Sequence, residues 1–243
     1  MKKLSYLLII IIVLISCQTA TIKNKTFKVT AATVELGSIG QAKSLYNTNN
    51  DFTIKSFPLL NNKIRVDIQI HPFNSDINDL YMNKAKYSSL QEKVMYTDSL
   101  AVKPEFITVS MIDITGYVNE LNADYNKETS TYLMDTKKSV VVTGLAINIP
   151  TIDLEKIKSA DSYYLINNSD KKYTIALYKQ GRRTDILDLK TGIVLAYTLG
   201  KFCWALSERG RWYVGDITLD NESCKGKMRS SIKDKEDVNL FKM

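Results

Sequence analysis

Apolar and polar side chains alternate most regularly over residues 63–71. The apolar positions of this stretch are Ile64, Val66, Ile68 and Ile70. An alternation with a period of two predicts a β-strand that buries one face and exposes the other. His71 falls on the polar face beside Pro72, so we interpret it as a surface histidine at the end of a strand.

Other segments carry weaker patterns. Segments rich in β-branched and aromatic residues predict strands at 27–34, 52–57, 106–114 and 139–149. Residues 76–98 lack a β pattern and mix apolar residues with charges, which predicts one helix or two short ones, as a crossover or an inserted lid. Residues 116–126 predict another short helix. After Pro150, Thr151 or Asp153 can cap a further one.

From residue 162 onward, short apolar segments recur about every ten residues, which is typical of an antiparallel β-meander. These segments lie at 163–166, 173–178, 184–189, 193–199, 202–206 and 212–219. Residues 185–195 resemble one strand pair of a quinoprotein-type propeller blade. Only one copy is present, and a propeller needs at least about four blades, so we interpret the pair as a generic hairpin.

The predicted fold class is therefore α+β, dominated by antiparallel sheets with a few short helices. We expect a sandwich-like module over residues 27–150, with the helical insertion near 76–98, and a meander over residues 151–224. The stretch 151–161 could divide two domains, or both parts could share one core. Residues 225–243 are basic and predict a flexible tail.

The N-terminal residues have the three parts of a secretory signal. Two lysines precede the apolar run at 7–15, which is shorter than the roughly twenty residues that a spanning helix needs. The run ends in Leu14-Ile15-Ser16-Cys17, which resembles the lipobox of bacterial lipoproteins. The resemblance implies removal of residues 1–16. It also implies that Cys17 carries acyl chains, palmitate among them, which hold the protein at a membrane.

The residues after Cys17 indicate where in the cell envelope the lipoprotein is expected. Gln18 follows the cysteine, which favours the outer membrane by analogy with enterobacterial sorting. The first acidic residue is Glu35, so the acidic run that exports some Bacteroidota-like lipoproteins is missing, and we predict the periplasmic face. Residues 17–26 predict a lipidated tether that reaches at most roughly 30 Å.

The formal net charge of the 243-residue chain is +7, and arginine is concentrated late in the chain. Outside the cytoplasm, nucleic acid is excluded as a partner of this positive charge. One interpretation is that the positive charge binds anionic lipid head groups. Charge that is simply solvated and keeps the protein soluble is the other interpretation.

Two cysteines remain besides Cys17. Cys203 and Cys224 form an even pair in an oxidising compartment, which predicts a disulfide. The alternative is a buried free Cys203 within an apolar run. A Cys–His nucleophile is disfavoured, because His71 is the only histidine and nothing in the sequence brings it to Cys203.

A group of arginines and aromatic residues near the last hairpins forms the candidate binding site. Its members are Arg182, Arg183, Trp204, Arg209, Arg211, Trp212 and Tyr213. Arginine beside tryptophan or tyrosine suits carboxylate, phosphate, sugar or protein partners. The alternative is a tryptophan pair that fills a small core while the arginines stay in water.

Catalytic motifs are missing: the chain has no nucleophile elbow, zinc signature, phosphate loop or Rossmann fingerprint. We therefore predict no enzyme, cofactor or metal. Asp113 and Glu120 flank a strand-to-helix turn, and we interpret them as solvated or capping groups.

The function we expect is non-catalytic binding or assembly by a membrane-anchored envelope lipoprotein. It would serve as an accessory subunit of an outer-membrane or periplasm-spanning complex, with a protein partner in the envelope. The alternatives are a periplasmic immunity or inhibitor lipoprotein and an envelope carbohydrate-processing enzyme.

Overall fold

The computed structural model describes most of the chain between residues 19 and 232. The described ranges are 19–23, 25–29, 34–42, 52–86, 93–168, 172–219 and 222–232. The predicted signal sequence, Cys17 and residues 233–243 lie outside them.

The fold is dominated by strands, as predicted. The strands are β1 (Thr19–Ile22), β2 (Lys25–Val29), β3 (Ile39–Ala42), β4 (Phe52–Ser56), β5 (Ile64–Pro72), β6 (Glu105–Met111), β7 (Ser139–Asn148), β8 (Ser162–Asn167), β9 (Tyr173–Lys179), β10 (Arg182–Leu187), β11 (Ile193–Leu206) and β12 (Trp212–Leu219). The α-helices are α1 (Ser75–Ala85), α2 (Ile114–Asn122), α3 (Lys127–Asp135) and α4 (Thr151–Ser159). Two short 3-10 turns cover Asp124–Asn126 and Leu189–Thr191.

These strands pair into one antiparallel sheet with the order β1-β2-β11-β7-β6-β5-β8-β9-β10. β12 pairs with β11, and β3 pairs with β4 and β7. The pairs β7–β11 and β5–β8 join strands from either side of the predicted boundary at 151–161. The expected sandwich-like module and meander therefore belong to a single sheet.

β11 is the strand that organises one end of the sheet. Ala196 and Tyr197 pair with β2, whereas residues 200–206 pair with β12. β7 pairs with β11 as far as Lys201. This 14-residue strand thus pairs with three strands, β2, β7 and β12.

Apolar residues cover both faces of this sheet. Along β7, Leu145 and Ile147 belong to the main core, whereas Ala146 between them belongs to a second cluster. Because successive side chains of a strand point to opposite faces, the two clusters lie on opposite faces of the sheet. Helices α2, α3 and α4 contribute to the main core. Helix α1 contributes Ile77 and Tyr81 to the second cluster.

Helix α1 covers the first part of the helical insertion predicted near 76–98, whose described residues 93–98 are not helical, and it is fixed at both ends. The Asn74 side chain accepts a hydrogen bond of 2.8 Å from the Ile77 N–H and caps the helix. Near the other end, Lys84 Nζ donates to the carbonyl oxygens of Val194 and Leu195 on β11. Burial lowers the pKa of the Lys84 amine to about 8.

Two expectations about the N-terminal half differ from the structure, and one helix was not expected. His71 is buried, not on the surface, because its face of β5 packs beside Phe106 in the second cluster, and its Nε2 lies 2.9 Å from Thr108 Oγ1. Burial lowers the pKa of His71, and nearby Lys23 lowers it further. Much of the expected tether is the β1–β2 hairpin, which buries Ile22. Helix α3 was not predicted.

Candidate functional site

The turn between β11 and β12 presents two of the four predicted arginines. We call residues 206–213 the hairpin tip. The Gly210 N–H donates to the Ser207 carbonyl at 2.9 Å, and the Ser207 N–H donates to the Arg211 carbonyl at 2.9 Å. Gly210 has a φ of 72°, in the left-handed region that favours glycine. This tight turn leaves Arg209 and Arg211 exposed.

The chain after β12 folds back onto the same hairpin. We call residues 222–232 the C-terminal clasp. The predicted disulfide is confirmed: Cys203 and Cys224 are bonded, with their Cα atoms 5.6 Å apart. A Cβ at Gly215 would lie 2.7 Å from the Met228 sulfur, so the clasp packs closely against the hairpin at this glycine. Residues 225–232, expected to belong to a flexible tail, therefore pack against the sheet.

The two tryptophans have different environments. Trp204 is 5% exposed and belongs to the main core, whereas Trp212 is half-buried and packs against that core. The Arg229 guanidinium carbon lies 5.7 Å from the centre of the Trp212 ring, a cation–π distance. Trp204 is thus a core residue, and Trp212 joins the core to the clasp.

The exposed part of the tip combines charge with apolar surface. Leu206 and Tyr213 are exposed large side chains, Tyr213 at 42%. Neither Arg209 nor Arg211 forms an ion pair within the described residues. Glu208 is the one acid in the tip sequence. Both guanidinium groups are therefore available to an external carboxylate or phosphate.

The remaining predicted site residues lie elsewhere. Arg182 and Arg183 lie on β10, and six strands separate β10 from β12 in the ladder β12-β11-β7-β6-β5-β8-β9-β10. Arg183 pairs with Tyr178 on β9. Lys63 Nζ lies 4.4 Å from the centre of the Tyr178 ring. The sheet order therefore divides the predicted site into two basic, aromatic surfaces.

The carboxylates flanking α2 have structural roles. Asp113 Oδ1 accepts a hydrogen bond of 2.8 Å from the Gly116 N–H and caps the helix, as expected. Glu120 is buried and not solvated, and it accepts hydrogen bonds from Asn61, Asn62 and Tyr125. Burial by itself would raise the pKa of Glu120, but these hydrogen bonds outweigh it, and the pKa is lowered.

The described ranges hold neither a metal cluster nor a helix that could span a membrane. No group of three or more histidine, cysteine, aspartate or glutamate side chains is placed to hold a metal ion. None of the helices there combines the length and the apolar character needed to cross a membrane.

Comparison of the chain with protein-family models, curated proteins and solved structures gives no match. We therefore argue function from the residues and geometry of this chain.

Proposed function

We propose that this protein is a lipid-anchored component of the cell envelope that binds a protein partner through the hairpin tip. The observation that carries the proposal is that Arg209 and Arg211, beside exposed Tyr213, form no ion pair with any residue that the structure describes. Arginine and tyrosine are among the residues that dominate binding energy at protein interfaces. A guanidinium fork favours a partner surface with carboxylates.

The surroundings of the tip support a role in binding because they hold it in place. The Cys203–Cys224 disulfide and the backbone bonds between Trp204 and Arg229 connect the clasp to the hairpin. A loop that is already ordered loses less conformational entropy on binding than a mobile one. The tip can therefore present its arginines in a fixed arrangement.

The disulfide also supports localisation of the protein outside the cytoplasm. Structural disulfides persist in oxidising compartments such as the periplasm. This agrees with a signal sequence and with acylation of Cys17. Because β1 begins at Thr19, a lipid on Cys17 would hold the sheet within about 7 Å of the anchor, two extended residues. The anchor would thus keep the hairpin tip among partners at the membrane surface.

The partner contact can be tested by crosslinked pull-down of the full chain from membranes. We expect the Arg209→Glu, Arg211→Glu double variant to recover at least about thirtyfold less partner, the size of a hot-spot loss of 2 kcal/mol. The matched control is Arg182→Glu with Arg183→Glu, which changes the same charge on β10 and should recover partner normally.

Three results of this experiment discriminate between functions. Recovery of no specific partner, or equal losses in both double variants, would overturn the proposal. Recovery of an outer-membrane or periplasm-spanning complex would favour an accessory subunit. Recovery of a single toxin or hydrolase would favour an immunity or inhibitor protein.

The anchor is tested separately. We expect mass spectrometry to find an acylated N-terminal Cys17, and the Cys17→Ala variant to leave the membrane fraction. An unmodified amino terminus, or normal membrane fractionation of that variant, would overturn the anchoring.

A further inference from the structure

A cavity of about 730 Å³ lies where β6 begins and where β7 leads into α4. Its walls come from residues 93–95, residues 103–105 and the stretch 148–158. This volume is typical of small-molecule sites. No residue of the hairpin tip or the clasp lines the cavity, so it is separate from the proposed partner contact.

Much of the wall is apolar and held in place. On α4, Thr151, Leu154, Glu155 and Lys158 line the cavity, a spacing that places them on one helix face. Leu154 and Ile149 are themselves buried in the main core. On the opposite wall, the Val94 N–H donates a 3.0 Å hydrogen bond to the hydroxyl of Tyr81, which fixes that segment to α1.

The charged groups of the wall leave an excess of positive charge. Three lysines and two glutamates line the cavity. Lys158 Nζ lies 2.8 Å from a Glu105 carboxylate oxygen and 3.1 Å from a Glu155 carboxylate oxygen, so one ammonium group contacts both acids. Lys93 and Lys103 form no ion pair among the described residues.

An exposed apolar side chain forms part of the cavity wall. Met95 lines the cavity and is 81% exposed. A bound apolar chain would cover this side chain and remove it from water.

We propose that this cavity binds a single-chain amphiphile with one carboxylate, a fatty acid of medium length. The carboxylate lies at the Lys93 and Lys103 ammonium groups, and the chain runs along Val94, Ile149 and Leu154. An inorganic anion would leave these apolar walls unused, and an uncharged chain would leave the Lys93 and Lys103 ammonium groups without an acidic partner among the described residues. The positive excess disfavours a cationic head group.

Photolabelling of the full chain in membranes tests the site directly. The probe is a decanoic acid analogue that carries a diazirine in its chain, and labelled peptides are mapped by mass spectrometry. We expect labelling to concentrate on residues 93–95 and 148–158. Excess decanoate should compete, whereas decanol, which has no carboxylate, should compete far less.

Matched variants test whether Lys93 and Lys103 bind the carboxylate. The Lys93→Ala, Lys103→Ala double variant should label at least about tenfold less, because it lacks two charged contacts. The Lys93→Arg, Lys103→Arg variant keeps the charge and should label nearly normally. Lys179→Ala, on β9, is the distant control and should label as the unaltered chain does.

Several outcomes would overturn the fatty-acid site. They are labelling spread evenly along the chain, equal competition by decanol and decanoate, and unchanged labelling in the double alanine variant. Competition by anionic phospholipid vesicles but not by decanoate would assign the cavity to membrane lipid instead and would also overturn it. Each outcome leaves the partner contact of the hairpin tip untouched.

Discussion

Trp204 and Arg229 form two backbone hydrogen bonds with each other. The distance from the Trp204 nitrogen to the Arg229 oxygen is 2.7 Å, and that from the Arg229 nitrogen to the Trp204 oxygen is 2.8 Å. These bonds lie on the edge of β11 beyond Lys201, where its pairing with β7 has ended. The clasp therefore satisfies backbone groups that would otherwise form an open strand edge.

Substitution of Arg229 should separate its side-chain and backbone contributions. We expect Arg229→Ala to lower the free energy of unfolding by about 0.5–1 kcal/mol through loss of the cation–π contact with Trp212. Arg229→Pro also removes the N–H that donates to Trp204, and should cost about 1 kcal/mol more. Urea denaturation of the oxidised protein measures both. Equal stability of the two variants would show that the backbone pairing contributes nothing.

Reduction of the Cys203–Cys224 disulfide should destabilise the protein. The bond closes a loop with a sequence separation of 21 residues. Such a loop contributes about 3 kcal/mol, because the crosslink restricts the unfolded chain. Urea denaturation with and without reductant measures the difference. The Cys203→Ala, Cys224→Ala variant is the control: its stability should match that of the reduced protein and should not respond to reductant.

Glu120 should make stability depend on acidic pH. Its pKa is lowered in the folded protein, so its stabilising effect is complete above the unfolded value near 4.5 and is lost as the pH falls through the folded value. We expect Glu120→Gln to lower the free energy of unfolding by about 2 kcal/mol at pH 7, since buried hydrogen bonds to a charged group are lost. This loss should shrink below pH 4.

Denaturation series from pH 7 to pH 3 provide the measurement. Glu128→Gln, an exposed substitution on α3, is the matched control and should follow the unaltered protein at every pH. A constant stability difference between Glu120→Gln and the unaltered protein across the series would contradict the assignment to Glu120.

Lys84 should make the stability of the protein depend on pH in the alkaline range. Its pKa is about 8 in the folded protein, against 10.5 for the ordinary amine. Between these values the unfolded chain binds more protons, so the free energy of unfolding should rise with pH. Lys84→Met should remove that rise, whereas Lys55→Met, on β4, should keep it. The same pH dependence in Lys84→Met as in the unaltered protein would refute this origin.

The elements that the sequence predicted well carry strong local patterns. β5 alternates in polarity, and β7 is a long apolar run closed by Pro150. Helix α3 carries no such pattern, because Leu133 is its one buried residue. It is held by contacts distant in sequence, such as the hydrogen bond of 2.9 Å between the hydroxyls of Thr129 and Ser56.

The arrangement of the candidate site also depends on contacts distant in sequence, here on the order of the strands in the sheet. Arg183 and Arg211 both lie near the last hairpins of the predicted meander, and the sequence therefore predicts one site for both. Five strands lie between β10 and β11 in the sheet order although the two are consecutive strands of the chain, and no local pattern encodes that order. The cavity combines residues 93–95 and 103–105 with the distant stretch 148–158, so composition and periodicity could not reveal it.

The covalent bond between Cys203 and Cys224 has a mechanical consequence. β12 lies wholly within the loop that this bond closes. Tension applied beyond residue 232 would pass through the sulfur atoms into β11 at Cys203, near the end of that strand, and would bypass the hairpin. A load on the carboxyl end could peel the clasp back to Cys224, but it could not unzip β12 or displace the arginines at the turn.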